Sequence, residues 1–364
     1  MLTLDGSQGE GGGQMVRTAL ALSALTQIPF RMTDIRAGRD VPGLKAQHVT
    51  CVRALEKLCG AISEGAELGS RELTFHPKPI KGGVFELDIG TAGSITLLLQ
   101  SILLPALFAN RPSRLTIIGG TDVDWAMPID YFIEVLAPHL RQWCEKLEVK
   151  VLKRGYHPTG GGRVEVFIKP RIKRMDFETF DPFLAELRGT IKRFSLLEQG
   201  HLIAIRGVSH CSKDLEAAQV ATRQAHAAQA VLSRFGDVRI RSEYADSACT
   251  GSGITLWALY SNIKDETNPS WSVRLGADAL GKKGIPAEQT GKTAAERLSE
   301  AIASPAPVDR HLADNLVPFL ALAEGTIKAE SITQHTTTNI DVIKAFLGTQ
   351  FYIKENVITT TPRA

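Results

Sequence analysis

Cysteine is scarce and unpatterned. The five, Cys51, Cys59, Cys144, Cys211 and Cys249, include no C-x-x-C pair, which argues against a disulfide framework and for reduced thiols in a cytosolic protein. Charge of one sign is also missing. Lys+Arg 42 against Asp+Glu 39 leaves only +3, so any contact with nucleic acid has to come from a local basic patch. The longest apolar stretch, residues 95–109, carries Gln100, Ser101 and Pro105 and is too short to span a bilayer. Met1 to Asp5 contains neither a basic nor an apolar leader region, so secretion is not expected and a cytoplasmic location is. Gly 32 and Pro 17 are too few for a collagen-like or low-complexity chain, and 43% hydrophobic with 22% charged residues excludes a disordered tail protein. What remains is a 364-residue globular chain, long enough for two domains or for one assembled from repeated units.

Repeats are present, in pattern more than in identity. A short strand from Thr3, a glycine-rich turn, a helix over residues 15–25, a strand over 30–35, a polar turn at 38–43 and a helix over 47–58 make the first. The second has a strand over 85–89, a turn at 90–94, a helix to Phe108, a strand over 114–118, a turn at 119–125 and a helix over 129–140. The third begins with a helix over 308–323, followed by a strand over 326–332, a turn at 333–338 and a helix over 339–346. The alternation in the strands and the near-3.6 spacing in the helices predict an α/β (α+β) chain of three strand-helix-strand-helix units with pseudo-threefold arrangement. Between the second and third units lies a block with its own strands (200–208, 238–244, 254–260), an alanine-rich helix over 213–235 that Gly236 would stop, and a polar turn over 262–270. It predicts a smaller inserted α/β domain over 198–275, with the repeat domain discontinuous over 1–197 and 276–364.

The most informative stretch is residues 5–17, DGSQGEGGGQMVR. Its crowded glycines let backbone approach a ligand closely, and a helix starting near Gln14 would aim free N–H groups at an anion. Glu10 and Arg17 flank the turn. A second glycine cluster, Gly160-Gly161-Gly162, lies between strands over 148–152 and 164–168, where a hairpin end needs only one or two. Gly291-Lys292-Thr293 looks like part of a Walker A loop, but Pro286 stands where glycine is required and no buried strand is expected before it, so a P-loop enzyme is rejected. Asp122 and Asp124 are expected to form a turn, because two acids alone do not make a metal site. His76 and His139 have no polar cluster around them, and His48, His157 and His311 are lesser candidates. His335, in QHTTTN, stands at a turn between strand and helix whose counterparts in the other repeats lie on the same side of the structure, the first of them supplying Arg39. A neutral imidazole held by Thr or Asn neighbours there could attack phosphorus or carry a proton.

Together these stretches resemble the RNA 3′-terminal phosphate cyclase family, in its catalytic branch. The matching segments are residues 5–17, IRAGR at 35–39 with Pro42-Gly43-Leu44 and Gln47-His48, residues 90–100, Gly119-Gly120-Thr121-Asp122, the glycines after Pro158, HLADN at 311–315, and His335 with Thr338-Asn339. The resemblance implies a large domain of three repeats similar to the C-terminal domain of translation initiation factor three, interrupted by a smaller domain. It implies an ATP-dependent ligase that turns an RNA 3′-phosphate into a 2′,3′-cyclic phosphodiester, with His335 becoming adenylylated. It further implies an ATP pocket from Gln100, His311, Leu312, Ala313, Asp314 and Asn315, and a cleft for phosphate and the RNA end from Glu10, Gln14, Arg17, Arg39 and Gln47. Mg²⁺ or Mn²⁺ would sit at Glu10 and Asp314. By the same likeness the partner is RNA with a 3′-phosphate, DNA is no productive substrate, and the oligomeric state stays open, a homodimer included. His311 and Asn315 depart from the family, which often has an aromatic and a glutamine there. Two rivals share parts of the pattern: a non-catalytic cyclase-like ribosome-assembly protein, which would lack the histidine, and an enolpyruvyl transferase, whose expected cysteine or lysine-arginine constellation is absent.

Overall fold

The computed structural model of the protein describes residues 1–9, 11–263 and 273–361. The first unit runs β1 (Leu2–Asp5), α1 (Gly13–Thr26), β2 (Phe30–Thr33), α2 (Ala46–Cys59), β3 (Ile62–Glu64) and β4 (Leu73–His76). The second runs β5 (Val84–Asp88), α3 (Ile95–Ala106), β6 (Ser113–Gly119), α4 (Ile129–Tyr131), a π-helical segment Phe132–Leu136, α5 (Ala137–Leu140), β7 (Cys144–Lys153) and β8 (Gly162–Pro170). After α6 (Phe180–Thr190) comes β9 (Phe194–Leu196), and the chain leaves the repeat domain. The intervening unit has β10 (His201–Ser212), α7 (Val220–Leu232), β11 (Val238–Ala245), β12 (Ser252–Ser261), β13 (Val273–Leu280) and α8 (Ala287–Ala303). The chain then returns with α9 (Arg310–Ala323), β14 (Gly325–Lys328), α10 (Gln334–Leu347), β15 (Gln350–Lys354) and β16 (Val357–Thr361).

The pseudo-threefold pattern is explicit in the sheets, ordered β1-β2-β4-β3, β5-β6-β8-β7 and, read in the same sense, β9-β14-β16-β15. In each, the first two strands pair in parallel and the others antiparallel. The third unit thus starts with β9, whose parallel partner β14 lies beyond the insert. The sequence expectation opened that unit with its helix, because three residues with one solvent-facing side chain carry little periodicity. The strands alternate buried and exposed faces, as in BeBiBiB for β6, so each sheet turns one face to water. Helices α1, α3 and α9 are buried almost all round, and α1 packs against both α3 and α10, placing the main core between the sheets.

The inserted unit has a sheet ordered β11-β10-β12-β13 and a core of its own, including Ile205, Leu256, Leu275 and Leu298. The expectation ended it at residue 275. Yet β13 completes its sheet, and α8 packs on α7 and β13, carrying the same packed unit on to Ala303. Spacing alone does not say which sheet a strand will join. The expected helix over 213–235 is broken: a 3-10 turn occupies Lys213–Leu215, and Gln219 takes φ 52 before α7 begins. Gly236, at φ 97, ends the segment as expected. The polar turn over 262–270 lies largely outside the described residues. Among the described residues no helix is long and apolar enough to cross a membrane. All five cysteines are free.

A buried ionic cluster joins the insert to the second repeat. Arg154 Nη1 donates to Asp130 Oδ2 at 2.7 Å and to Asp122 Oδ2 at 3.3 Å, while its Nη2 donates to Glu243 Oε2 on β11 at 2.8 Å. His210 of β10 brings Nε2 within 3.2 Å of Asp122 Oδ1, and its Nδ1 shares a 2.9 Å hydrogen bond with the Tyr156 hydroxyl. Nearby, Asp309 caps α9 by accepting from the His311 and Leu312 amides, and it also accepts from Tyr131 Oη and the Gly276 amide of β13. The expected turn role of Asp122 is therefore only part of its work: its carboxylate is buried and ion-paired. Gly160, at φ 71, has no room for a Cβ, which would lie 2.7 Å from Thr91 O. The second glycine cluster thus serves close packing against the turn at 90–94. Gly291-Lys292-Thr293 lies inside α8. A strand, β13, does precede that segment, but a helix interior cannot wrap a phosphate as a glycine loop does.

Candidate active site

A cleft of about 970 Å³ opens between the repeat domain and the inserted unit. The first repeat contributes Gly12, Gly13, Gln14, Arg17, Arg36, Arg39 and His48 to its lining, and Gln100 comes from α3 of the second. From the last repeat come His311, Asp314, Asn315 and His335, while β13 and α8 add Asp278 and Arg297.

The glycine turn is built for close approach. Gly9 and Gly11 take φ 60 and 55, and α1 then starts at Gly13. A Cβ on Gly13 would stand 1.9 Å from His48 Nε2, and one on Gly12 would be 3.4 Å from an Arg39 amino group. The imidazole thus lies against the helix start, fixed from its other side by the Lys45 amide donating to Nδ1 at 3.0 Å. That bond makes Nδ1 the acceptor and leaves the ring proton on Nε2, facing the turn. Burial, then the charges of Arg17, Arg36 and Lys45, push the His48 pKa down to about 3. Burial also lowers the Arg17 pKa, and burial followed by Arg39 lowers that of Arg36. Such cations beside the N-terminus of α1 have the charge and the N–H groups that suit an anion.

His48 yields a pH prediction. Its native pKa lies below the unfolded value, so the unfolded chain binds one more proton between about pH 6.5 and pH 3, and stability falls as pH drops through that window. We expect His48→Asn, whose Oδ1 can accept from Lys45, to remove up to one proton from the slope of unfolding free energy against pH, about 1.4 kcal/mol per pH unit. Parallel slopes for variant and wild type in urea titrations from pH 4 to 8 would exclude a neutral buried imidazole.

From α1 a relay crosses the cleft floor. Arg17 Nε donates to Gln100 Oε1 at 2.9 Å, Gln100 Nε2 to Asn315 Oδ1 at 3.0 Å, and Asn315 Nδ2 to the His311 carbonyl at 2.7 Å. The chain joins helices of all three repeats. Within that segment His311, Asp314 and Asn315 line the cleft, whereas Leu312 and Ala313 are fully buried core. On α9 those two turn away from the face that carries Asp314 and Asn315.

His335 lies in the first turn of α10, not in a turn ahead of it, because Thr333 caps the helix by accepting from the Thr336 amide. The polar TQHTTTN run resembles a loop in composition, yet its hydroxyls supply the cap. The His335 side chain is exposed to the cleft, and its helix turn is capped by the neighbouring Thr333 side chain. Asp314 Oδ1 accepts from the Thr333 hydroxyl at 2.6 Å and from that of Thr336 at 2.5 Å. Asn339 Nδ2 donates to the Asp314 carbonyl at 2.9 Å, and the Thr18 hydroxyl donates to Asn339 Oδ1 at 2.7 Å. Burial raises the Asp314 pKa, against the pull of those hydroxyls and of His335 and His311. In the same cleft burial lifts Asp278 to about 6.

Asp314, expected as a metal ligand, uses Oδ1 to accept from two hydroxyls and so fixes the start of α10, and its residue still lines the cleft. Glu10 lies outside the described residues. The one cluster of potential metal ligands among the described residues, Asp122, Asp130 and His210, is the ionic joint around Arg154. Gln47 is also placed differently from its expected role in the cleft: it clamps the turn at 90–94, accepting from the Ser94 amide at 2.8 Å and donating to the Ser94 carbonyl at 2.7 Å. Arg36, Trp125, Asp278, Lys282 and Arg297, which the sequence pattern does not single out, also line the cleft. Arg36 stands inside the IRAGR motif and Trp125 inside a repeat-related turn, and those positions are their only signal. The other three depend on where β13 and α8 pack.

A model of the family described as RNA 3′-terminal phosphate cyclase matches residues 8–353. Proteins of that name are similar to the chain almost end to end. The one from Pyrococcus furiosus is 44% identical over 98% of this chain and 96% of its own length. That from Archaeoglobus fulgidus is 42% identical over 96% of each, and that from Methanosarcina acetivorans 43% identical over 98% and 97%.

Proposed function

The chain belongs to the RNA 3′-terminal phosphate cyclase family, and on that footing we propose that it uses ATP to convert an RNA 3′-terminal phosphate into a 2′,3′-cyclic phosphodiester, with His335 as the nucleophile. One imidazole nitrogen of His335 attacks the α-phosphorus of ATP. A nitrogen–phosphorus bond forms, the bond to the bridging oxygen breaks, and pyrophosphate leaves. The AMP then passes to the terminal 3′-phosphate, giving RNA-(3′)pp(5′)A and regenerating the imidazole. The adjacent 2′-hydroxyl attacks the activated phosphorus, closes the cyclic diester and expels AMP. A phosphate dianion repels nucleophiles and has no good leaving group, which AMP supplies. Once the end is held, ring closure is intramolecular and needs little further ordering. A DNA 3′-phosphate could receive AMP but has no 2′-hydroxyl with which to close the ring.

What carries the reading is the position of His335, in a capped first helical turn and open to the cleft shared with Arg17 and Arg39. The dipole of α10 favours anionic phosphate there. Arg17, Arg39 and the start of α1 are suited to the other phosphates, and Gln100 with Asn315 to orienting the nucleotide. Mg²⁺ or Mn²⁺ would supply neutralisation of charge on the departing pyrophosphate. The test is incubation with α-labelled ATP and either ion, then addition of a 3′-phosphorylated oligoribonucleotide. Label should remain on the denatured protein and chase into AMP as a cyclic end appears. Absence of label on the protein while cyclic product accumulates would rule out the histidyl intermediate, and absence of both would favour the non-catalytic reading.

A further inference from the structure

Three repeat-related turns, each following the second strand of its unit, line the cleft. In the first this turn supplies Arg36 and Arg39, and in the third it leads into His335. In the second it supplies Asp124 and Trp125. Trp125 is 99% exposed, the largest exposure among the big apolar residues that are described. Its backbone takes φ 64, a left-handed conformation that a bulky residue adopts only where surrounding structure imposes it. The turn is anchored on both sides: Ile129 N donates to the Thr121 carbonyl at 3.0 Å, and Lys282 Nζ of the inserted unit lies 3.6 Å from Asp124 Oδ1. Beside Lys282, Ile285 also lines the cleft while 51% exposed. A strained turn thus holds a bare aromatic face at the rim of a cleft whose interior is cationic.

We infer that Trp125 is a stacking platform for the terminal base of the RNA whose 3′-phosphate enters the cleft. The inference rests on the proposed function and adds a positioning residue to it. Unpaired bases of single-stranded RNA bind by stacking on aromatic side chains, whatever their identity, while cations take the backbone. Arginines inside and an indole at the rim match that division. The occupant is the RNA base and not adenine because a fully solvated rim residue meets a polymer arriving from solvent, whereas, of the polar HLADN residues expected around ATP, Asp314 is buried and Asn315 half-buried on α9. Stacking would tether the last nucleotide, bringing its phosphate and 2′-hydroxyl to the AMP donor.

The experiment compares two 3′-phosphorylated oligoribonucleotides, one with a normal last nucleotide and one whose last ribose has no base, on wild type, Trp125→Ala and Trp125→Phe. Wild type should lose about 5- to 150-fold in kcat/KM when the base is removed, the range expected for one stacked base. Trp125→Ala should be comparably poor with the normal end and lose little more with the abasic one. Trp125→Phe should recover most of the activity. Self-adenylylation, which needs no RNA, should stay within about twofold of wild type in both variants. The inference is overturned if Trp125→Ala cyclises the normal end as wild type does, if it still responds to base removal by the full wild-type factor, or if adenylylation falls in step, which would place adenine on the indole. If wild type itself neither adenylylates nor cyclises, it is the proposed function that fails, and the stacking role goes with it.

Discussion

His335→Asn should abolish self-adenylylation and lower cyclisation by roughly four orders of magnitude or more, the scale seen when a covalent nucleophile is removed. The variant should nonetheless fold normally. The His335 side chain is exposed, and the cap of α10 is made by Thr333 with Asp314 behind it, not by the imidazole. Asparagine keeps some polarity at the helix start but cannot form a stable bond to phosphorus at neutral pH. The decisive measurement pairs label retention with a melting temperature. Normal cyclisation by a folded His335→Asn protein would remove the nucleophile from the mechanism, and mass spectrometry finding AMP on another side chain would relocate it.

Arg154→Ala should destabilise the protein by about 3–5 kcal/mol, the usual cost of removing one member of a buried ionic cluster. The side chains of Arg154, Asp122 and Asp130 are each no more than 4% exposed, so water cannot replace the guanidinium. Two buried acids would be left without the guanidinium between them. Burial by itself would raise the Asp122 pKa, but His210 and Arg154 outweigh it and hold the carboxyl well below the usual carboxylate range. A depressed acid stabilises the fold above its unfolded pKa, and that stability is lost as pH falls through the folded value. Without Arg154 the folded value rises, so acid unfolding of the variant should begin at higher pH. Arg223→Ala, which breaks an exposed pair with Glu288, is the control and should cost under about 1 kcal/mol. A loss below about 1 kcal/mol for Arg154→Ala as well, by urea unfolding at pH 7, would contradict the view that the cluster holds insert and repeat together.

Much of this architecture is legible in the sequence, for physical reasons. Glycine clusters mark turns, and helices such as α1 and α3 betray burial by long apolar runs with few charged residues, so the repeats and the glycine-rich turn before α1 stand out. His335 stands out because its neighbours are hydroxyls and amides that cap helices. What stays hidden depends on who packs against whom. Strand β9 is too short to show a period, and its partner lies beyond the insert. The pattern of β13 fits either unit until its pairing with β12 is known. Arg154, Asp122, Asp130, His210 and Glu243 come from separate elements, and none is unusual where it stands. The clamp made by Gln47 appears only when two repeats meet, and the hydroxyl contacts of Asp314 only when α9 and α10 of the third repeat pack together.

The split third unit also bears on how the chain emerges during synthesis. The first two repeats each complete their strand set within a continuous stretch and can close as they leave the ribosome. Phe194 of β9, in contrast, pairs with Gly325, so this early strand waits, unpartnered, through translation of the whole insert. Such distant pairing delays closure. The sheet of the third repeat is therefore the last to assemble, and a nascent chain halted within the insert carries the glycine-rich turn before α1 but not His335.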